Sequence, residues 1–109
     1  MKVRYLNVRE AALLALLSKK PAYGFELVEE SPALIEGGMP KGGVYNLLYK
    51  LRGLGFVNAA ERTATSSEKG GNDRLYYSIT PEGRKSLDDF FSTVQNLRTR
   101  SGTESPETT

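Results

Sequence analysis

Between Val8 and Ser18 the chain is dominated by apolar residues, with Ala11 to Leu17 an unbroken run. On a helix, Leu13, Leu14, Leu16 and Leu17 cover more than half of the circumference, so this element belongs inside a core and not draped over it. Asn7 is placed as its N-cap and Glu10 as the acid of a capping box. Lys19-Lys20-Pro21 ends it. A second helix is expected from Tyr23 or Gly24 to Glu30 or Ser31, with Phe25, Leu27 and Val28 as its apolar side. Pro32 breaks it, and the stretch to Gly38 reads as a turn that tucks in Leu34 and Ile35. A third helix is expected from near Pro40, a residue favoured at the first helical position, to near Leu54, with Gly55 as a left-handed cap. Steps of 100° place Val44, Leu47, Leu48, Leu51 and Leu54 on one face. Tyr45, Asn46, Tyr49 and Lys50 fall on the other, together with Gly42 and Gly53.

Past Gly55 the period shortens. Phe56 to Arg62 fits a strand, and Leu75 to Ile79, rich in β-formers, fits its partner. Thr63 to Asp73 between them is polar and contains Gly70 and Gly71, as a flexible hairpin tip would. Thr80 then caps a last helix that opens with Pro81 and Glu82. Leu87, Phe90, Phe91, Val94 and Leu97 fall within one third of its circumference. From Ser101 the chain is Ser, Gly, Thr, Glu and Pro, a composition that favours disorder. Three helices, a hairpin and a further helix predict a mainly α fold with a two-stranded β-wing. That is a winged helix-turn-helix over residues 1–80, followed by a C-terminal helix over 81–100 and a tail over 101–109.

Composition narrows the chemistry. Among 109 residues there is no cysteine and no histidine. Disulfides, thiolate metal sites and Ser-His-Asp or Cys-His catalysis are thereby excluded from this chain. Glu82, Asp88 and Asp89 come without a Gly-rich phosphate loop or metal-ligand spacing, so neither an enzyme nor a cofactor is expected. The seven-residue apolar run is too short to span a bilayer, and Ser18-Lys19-Lys20 after it is no signal-cleavage site, so a cytoplasmic protein without a membrane partner is expected. Net charge is +2. With Glu104 and Glu107 set aside, 15 basic residues face 11 acidic ones over residues 1–100, or +4. That balance is compatible with nucleic acid and does not demand it.

The winged fold directs attention to the third helix, the one such proteins lay in the major groove of double-stranded DNA. Lys41 leads it. Tyr45, Asn46, Tyr49 and Lys50 offer phosphate and base-edge contacts, Gly42 and Gly53 let a backbone come close, and Gly43 lies on or near the same DNA-facing side. An amphipathic helix with a merely solvated face has the same pattern. Arg62, Lys69 and Arg74 flank or occupy the hairpin tip, where they can lie along phosphates, although Glu61, Glu68 and Asp73 dilute their charge. The last helix, about 27 Å long over residues 81–98, carries a stripe too long for one small domain to cover, which points to a twofold homodimer. Folding back onto the first helix is the alternative. A winged helix that docks on another protein, and not on DNA, also fits the fold.

Three landmarks resemble the PadR family of regulators. Leu13-Leu14-Ala15-Leu16-Leu17 running into Tyr23-Gly24-Phe25-Glu26-Leu27 resembles the family's opening. Pro40-Lys41-Gly42-Gly43-Val44-Tyr45-Asn46-Leu47-Leu48-Tyr49-Lys50-Leu51, with Leu54-Gly55-Phe56-Val57 after it, resembles its recognition helix. Tyr76-Tyr77-Ser78-Ile79-Thr80-Pro81-Glu82-Gly83-Arg84 is similar to the junction of wing and last helix. The resemblance covers about residues 8–98. It implies a repressor that binds palindromic operators as a dimer, adds Tyr23 to the DNA-facing set, and places the dimer on the single C-terminal helix, as in the family's shorter branch. Some members of that branch hold a flat aromatic effector at the dimer interface, a partner implied here too. Gly43 stands where the family often has Ser or Thr, Asn46 where it usually has Pro, and the chain has no Trp for effector stacking. The operator therefore does not carry over from relatives.

Overall fold

The computed structural model describes residues 6–61 and 75–101. Helix α1 spans Val8–Lys19, strand β1 Ala22–Tyr23, helix α2 Gly24–Glu30, a 3₁₀ turn Ser31–Ala33 and helix α3 Lys41–Gly53. Strands β2, Val57–Glu61, and β3, Leu75–Ile79, are followed by helix α4, Pro81–Ser101. The expected winged arrangement is present, with one addition. The sheet has three antiparallel strands in the order β1-β3-β2, where the sequence pattern indicated two. Strand β1 is only two residues long, pairing Ala22 with Tyr77 and Tyr23 with Tyr76, and so leaves no alternation to read.

Local signals place the helix ends. Asn7 Oδ1 accepts from the Glu10 amide at 2.8 Å, and Glu10 Oε1 accepts from the Asn7 amide at 2.9 Å, closing the capping box. Pro40 is the residue before α3 and not its first turn, with φ −66° and ψ 154°. At the far end Gly55 has φ +82°, the Phe56 amide donates to Leu51 O at 2.9 Å, and the Gly55 amide donates to Arg52 O at 3.0 Å. This 6→1 and 5→2 pair is a Schellman ending, which only a left-handed residue after the cap permits.

The core is built around α1: Leu13, Leu14 and Leu17 are essentially inaccessible to solvent, as are Leu27 of α2 and Val44, Leu48 and Leu51 of α3. Val57, Tyr77 and Leu87 close it from the sheet and from α4. Leu47 is only half-buried and Leu54 is exposed, so the inner face of α3 is narrower than the helical wheel implies. The buried polar groups are each employed. Ser31 Oγ donates to Val28 O and accepts from the Met39 amide, both at 2.9 Å, which ties the loop before α3 to the end of α2. Among the described residues no buried side-chain nitrogen or oxygen lacks a partner.

Candidate nucleic-acid interface

Helix α3 presents Lys41, Gly42, Asn46, Tyr49 and Lys50 on its exposed side, and Tyr49 is 80% exposed. A tyrosine so open on a helix whose other face is fully buried has its ring available to a partner. Gly43 is partly covered, and Gly42 and Gly53 face open space. Of the residues singled out from sequence, two are oriented differently from the wheel. Tyr45 turns sideways, half-buried, and its ring lies over Gly24 of α2, where any Cβ would run into the ring. This contact explains why a glycine opens α2: the two helices of the helix-turn-helix pair approach through Tyr45 and Gly24. Lys50 bends back toward α1, where its Nζ lies 3.0 Å from Glu10 Oε2.

The Glu10 carboxylate is fully buried, while the Lys50 side chain is 49% exposed. One oxygen of Glu10 serves the α1 cap and the other meets α3. A buried carboxylate is tolerated only when paired and hydrogen-bonded, and this one has both. The pair joins the start of α1 to the recognition-helix candidate, so the ammonium of Lys50 is engaged within the protein. The spacing Asn7–Glu10 signals the capping role of Glu10 in the sequence, whereas nothing local signals its second role as the partner of Lys50.

Tyr23 heads α2, its amide donating to Glu26 Oε1 at 2.8 Å. Its ring stacks on Phe25 with centroids 5.5 Å apart and meets Tyr76 edge-on at 4.9 Å. Tyr23 thus joins α2 to the base of the wing. The wing-tip residues Arg62, Lys69 and Arg74, and the tail from residue 102, lie outside the described residues.

The junction of β3 and α4 is locked to the end of α3. Thr80 Oγ1 donates to Gly55 O at 2.7 Å and accepts from the Gly83 amide at 2.9 Å, and the Thr80 amide donates to Phe56 O at 3.0 Å. Gly83 packs directly on the Phe56 carbonyl, leaving no room for a Cβ. One threonine therefore caps α4 and fastens it to the corner that ends α3. Beyond that latch the apolar stripe divides. Leu87 is buried and Phe90 half-buried against the core, whereas Phe91, Val94 and Leu97 are 52%, 39% and 64% exposed. Phe90 and Phe91 meet edge-on with centroids 5.8 Å apart.

A core-packed helix-turn-helix pair, a polar outer face on its second helix and an adjoining pair of antiparallel strands define a winged helix-turn-helix protein. The family model described as the PadR-like family of transcriptional regulators matches residues 13–89, and the chain belongs to that family. It is accordingly a DNA-binding transcriptional regulator and not an enzyme. Among solved structures, it is similar to a Streptococcus transcriptional regulator, at 26% identity and TM-score 0.71, covering 86% of this chain and 88% of that one. It is similar also to a PadR family transcriptional regulator from Eggerthella lenta, at 25% identity and TM-score 0.67, covering 86% of this chain and 80% of that one. A PadR-like regulator from Bacillus cereus, 23% identical with TM-score 0.70, shares the fold over 87% of this chain and 88% of its own. No curated protein matches the sequence. Among the described residues no helix is long and apolar enough to cross a membrane.

Proposed function

We propose that the protein is a homodimeric repressor that binds a palindromic operator, with α3 in the major groove, the wing along the flanking backbone and α4 as the dimer contact. The observation that carries the dimer is the exposed Phe91–Val94–Leu97 stripe on the outer turns of α4, an apolar surface continuous with the core through Leu87 and Phe90. Twofold pairing of two such helices buries it. The Thr80 latch then matters for DNA binding, because it ties α4 to the end of α3 and so relates the two recognition helices across the dimer. Half-sites about one helical turn apart, or a multiple of that, follow from such a dimer. A flat aromatic effector is the ligand class that would act between the subunits, beside Phe90 and Phe91.

Within α3, Asn46 is the base-reading residue: it is exposed near the leading end, and an amide can donate and accept at once along an adenine edge. Lys41 and Tyr49 contact phosphate and the groove wall. Selection from a pool of random duplexes tests this. The wild type is expected to return a twofold-symmetric motif, and Asn46→Ala a motif relaxed at one symmetric pair of positions, at a cost of roughly 1–3 kcal/mol in discrimination. The same motif from both proteins would show that Asn46 reads no base.

A further inference from the structure

A further cation, Arg9, borders the leading end of α3. It lies in the first turn of the core helix α1, next to Glu10, and by sequence it belongs to a neutralised pair of neighbours. In the fold the two separate. Glu10 turns inward to the Asn7 amide and to Lys50, and its carboxylate is withdrawn from the surface. Arg9 stays exposed, and among the described residues no carboxylate pairs with it. It faces a cleft of about 240 Å³ whose other wall is the leading end of α3 and the residue before it, lined there by Pro40, Gly43 and Asn46. Gly43 contributes no side chain to fill that cleft.

We propose that Arg9 grips a DNA backbone phosphate on the strand that borders the groove entered by α3, and so sets the register in which Asn46 meets the bases. This rests on the reading of α3 as the recognition helix. If the leading end of α3 enters the groove, the phosphates bordering it pass the mouth of this cleft, and Arg9 lines that cleft with no carboxylate paired to it among the described residues. The internal Glu10–Lys50 pair makes the assignment sharper, because it engages Lys50 of α3 within the protein and leaves Arg9 and Lys41 as the cations free to meet the backbone at this end. A guanidinium suits the role, since it offers a forked set of donors to a phosphate.

A phosphate contact has a signature distinct from a base contact. Each neutralised phosphate contributes about 0.9 to the slope of log K against log salt, so removal of Arg9 from both subunits of a dimer lowers the slope by roughly 1.8. The test measures binding of a mixed-sequence duplex by fluorescence anisotropy across a salt series, for wild type, Arg9→Ala, Arg9→Lys and Lys19→Ala, with circular dichroism melts to verify folding. Arg9→Ala is expected to weaken binding and flatten the slope. Arg9→Lys is expected to keep the slope. Lys19→Ala, at the other end of α1, is expected to match the wild type. An Arg9→Ala slope equal to that of wild type, with or without a loss of affinity, overturns the assignment. A wild type whose affinity does not depend on salt overturns the DNA reading itself, and the two failures are therefore separable.

Discussion

The Glu10–Lys50 pair allows a quantitative test of how the recognition-helix candidate is held. At 3.0 Å the gross attraction of two unit charges is about 5.5 kcal/mol at an effective dielectric of 20 and about 1.4 kcal/mol in bulk water. Glu10 is fully buried, but water reaches the half-exposed Lys50, so the effective value lies between these limits. Lys50→Met removes the cation and leaves the carboxylate buried. Breaking a fully buried pair this way costs about 3–5 kcal/mol, and the exposure of Lys50 lowers the expected loss to about 2–3 kcal/mol. Glu10→Gln keeps the α1 cap, because glutamine serves the capping box as glutamate does. The double variant Glu10→Gln/Lys50→Met removes both charges and is expected within about 1 kcal/mol of wild type. Urea unfolding followed by circular dichroism, at one fixed protomer concentration, gives the four stabilities of the cycle. A coupling of roughly 1–3 kcal/mol is expected, and additivity within about 0.5 kcal/mol would refute the reasoning.

Three further outcomes follow from the packing. Phe91→Lys with Val94→Lys places charge in the proposed α4 contact, and sedimentation should then find monomers or unfolded chain; an unchanged dimer moves the interface elsewhere. Gly83→Ala drives a methyl into the Phe56 carbonyl and is expected to cost about 1–3 kcal/mol, read as a lowered thermal midpoint, with no loss predicting that α4 starts farther from the α3 corner than described. Gly24→Ala pushes on the Tyr45 ring and should cost a similar roughly 1–3 kcal/mol, whereas Gly42→Ala, which meets open space in mid-turn, should be neutral or stabilising by the same urea assay.

What could be read in the sequence was what is decided locally. The Asn7–Glu10 box, the Gly55 ending of α3 and the Thr80-Pro81 start of α4 involve residues within a few positions of one another, and each is found where the residue types place it. The missing pieces are long-range. Strand β1 exists because Ala22 and Tyr23 meet β3, and two residues carry no period of their own. A helical wheel put Tyr45 outside because it holds no record of where α2 crosses, and that crossing is what draws the ring over Gly24. Glu10 was legible as a cap but not as the partner of Lys50, since only the packing of α1 on α3 brings the two together. Arg9 is not legible as a site residue for the same reason: among the described residues no carboxylate pairs with it, and that depends on where its neighbour's carboxylate goes.

A winged helix that recognises an operator binds duplex DNA through its backbone charges as well as its bases. Anisotropy titration of a mixed-sequence duplex from low to moderate salt measures that directly. Log K is expected to fall linearly with log salt, with a slope of several units for the dimer. Affinity that is absent at low salt, or flat across the series, would contradict it and leave a winged helix that docks on protein instead.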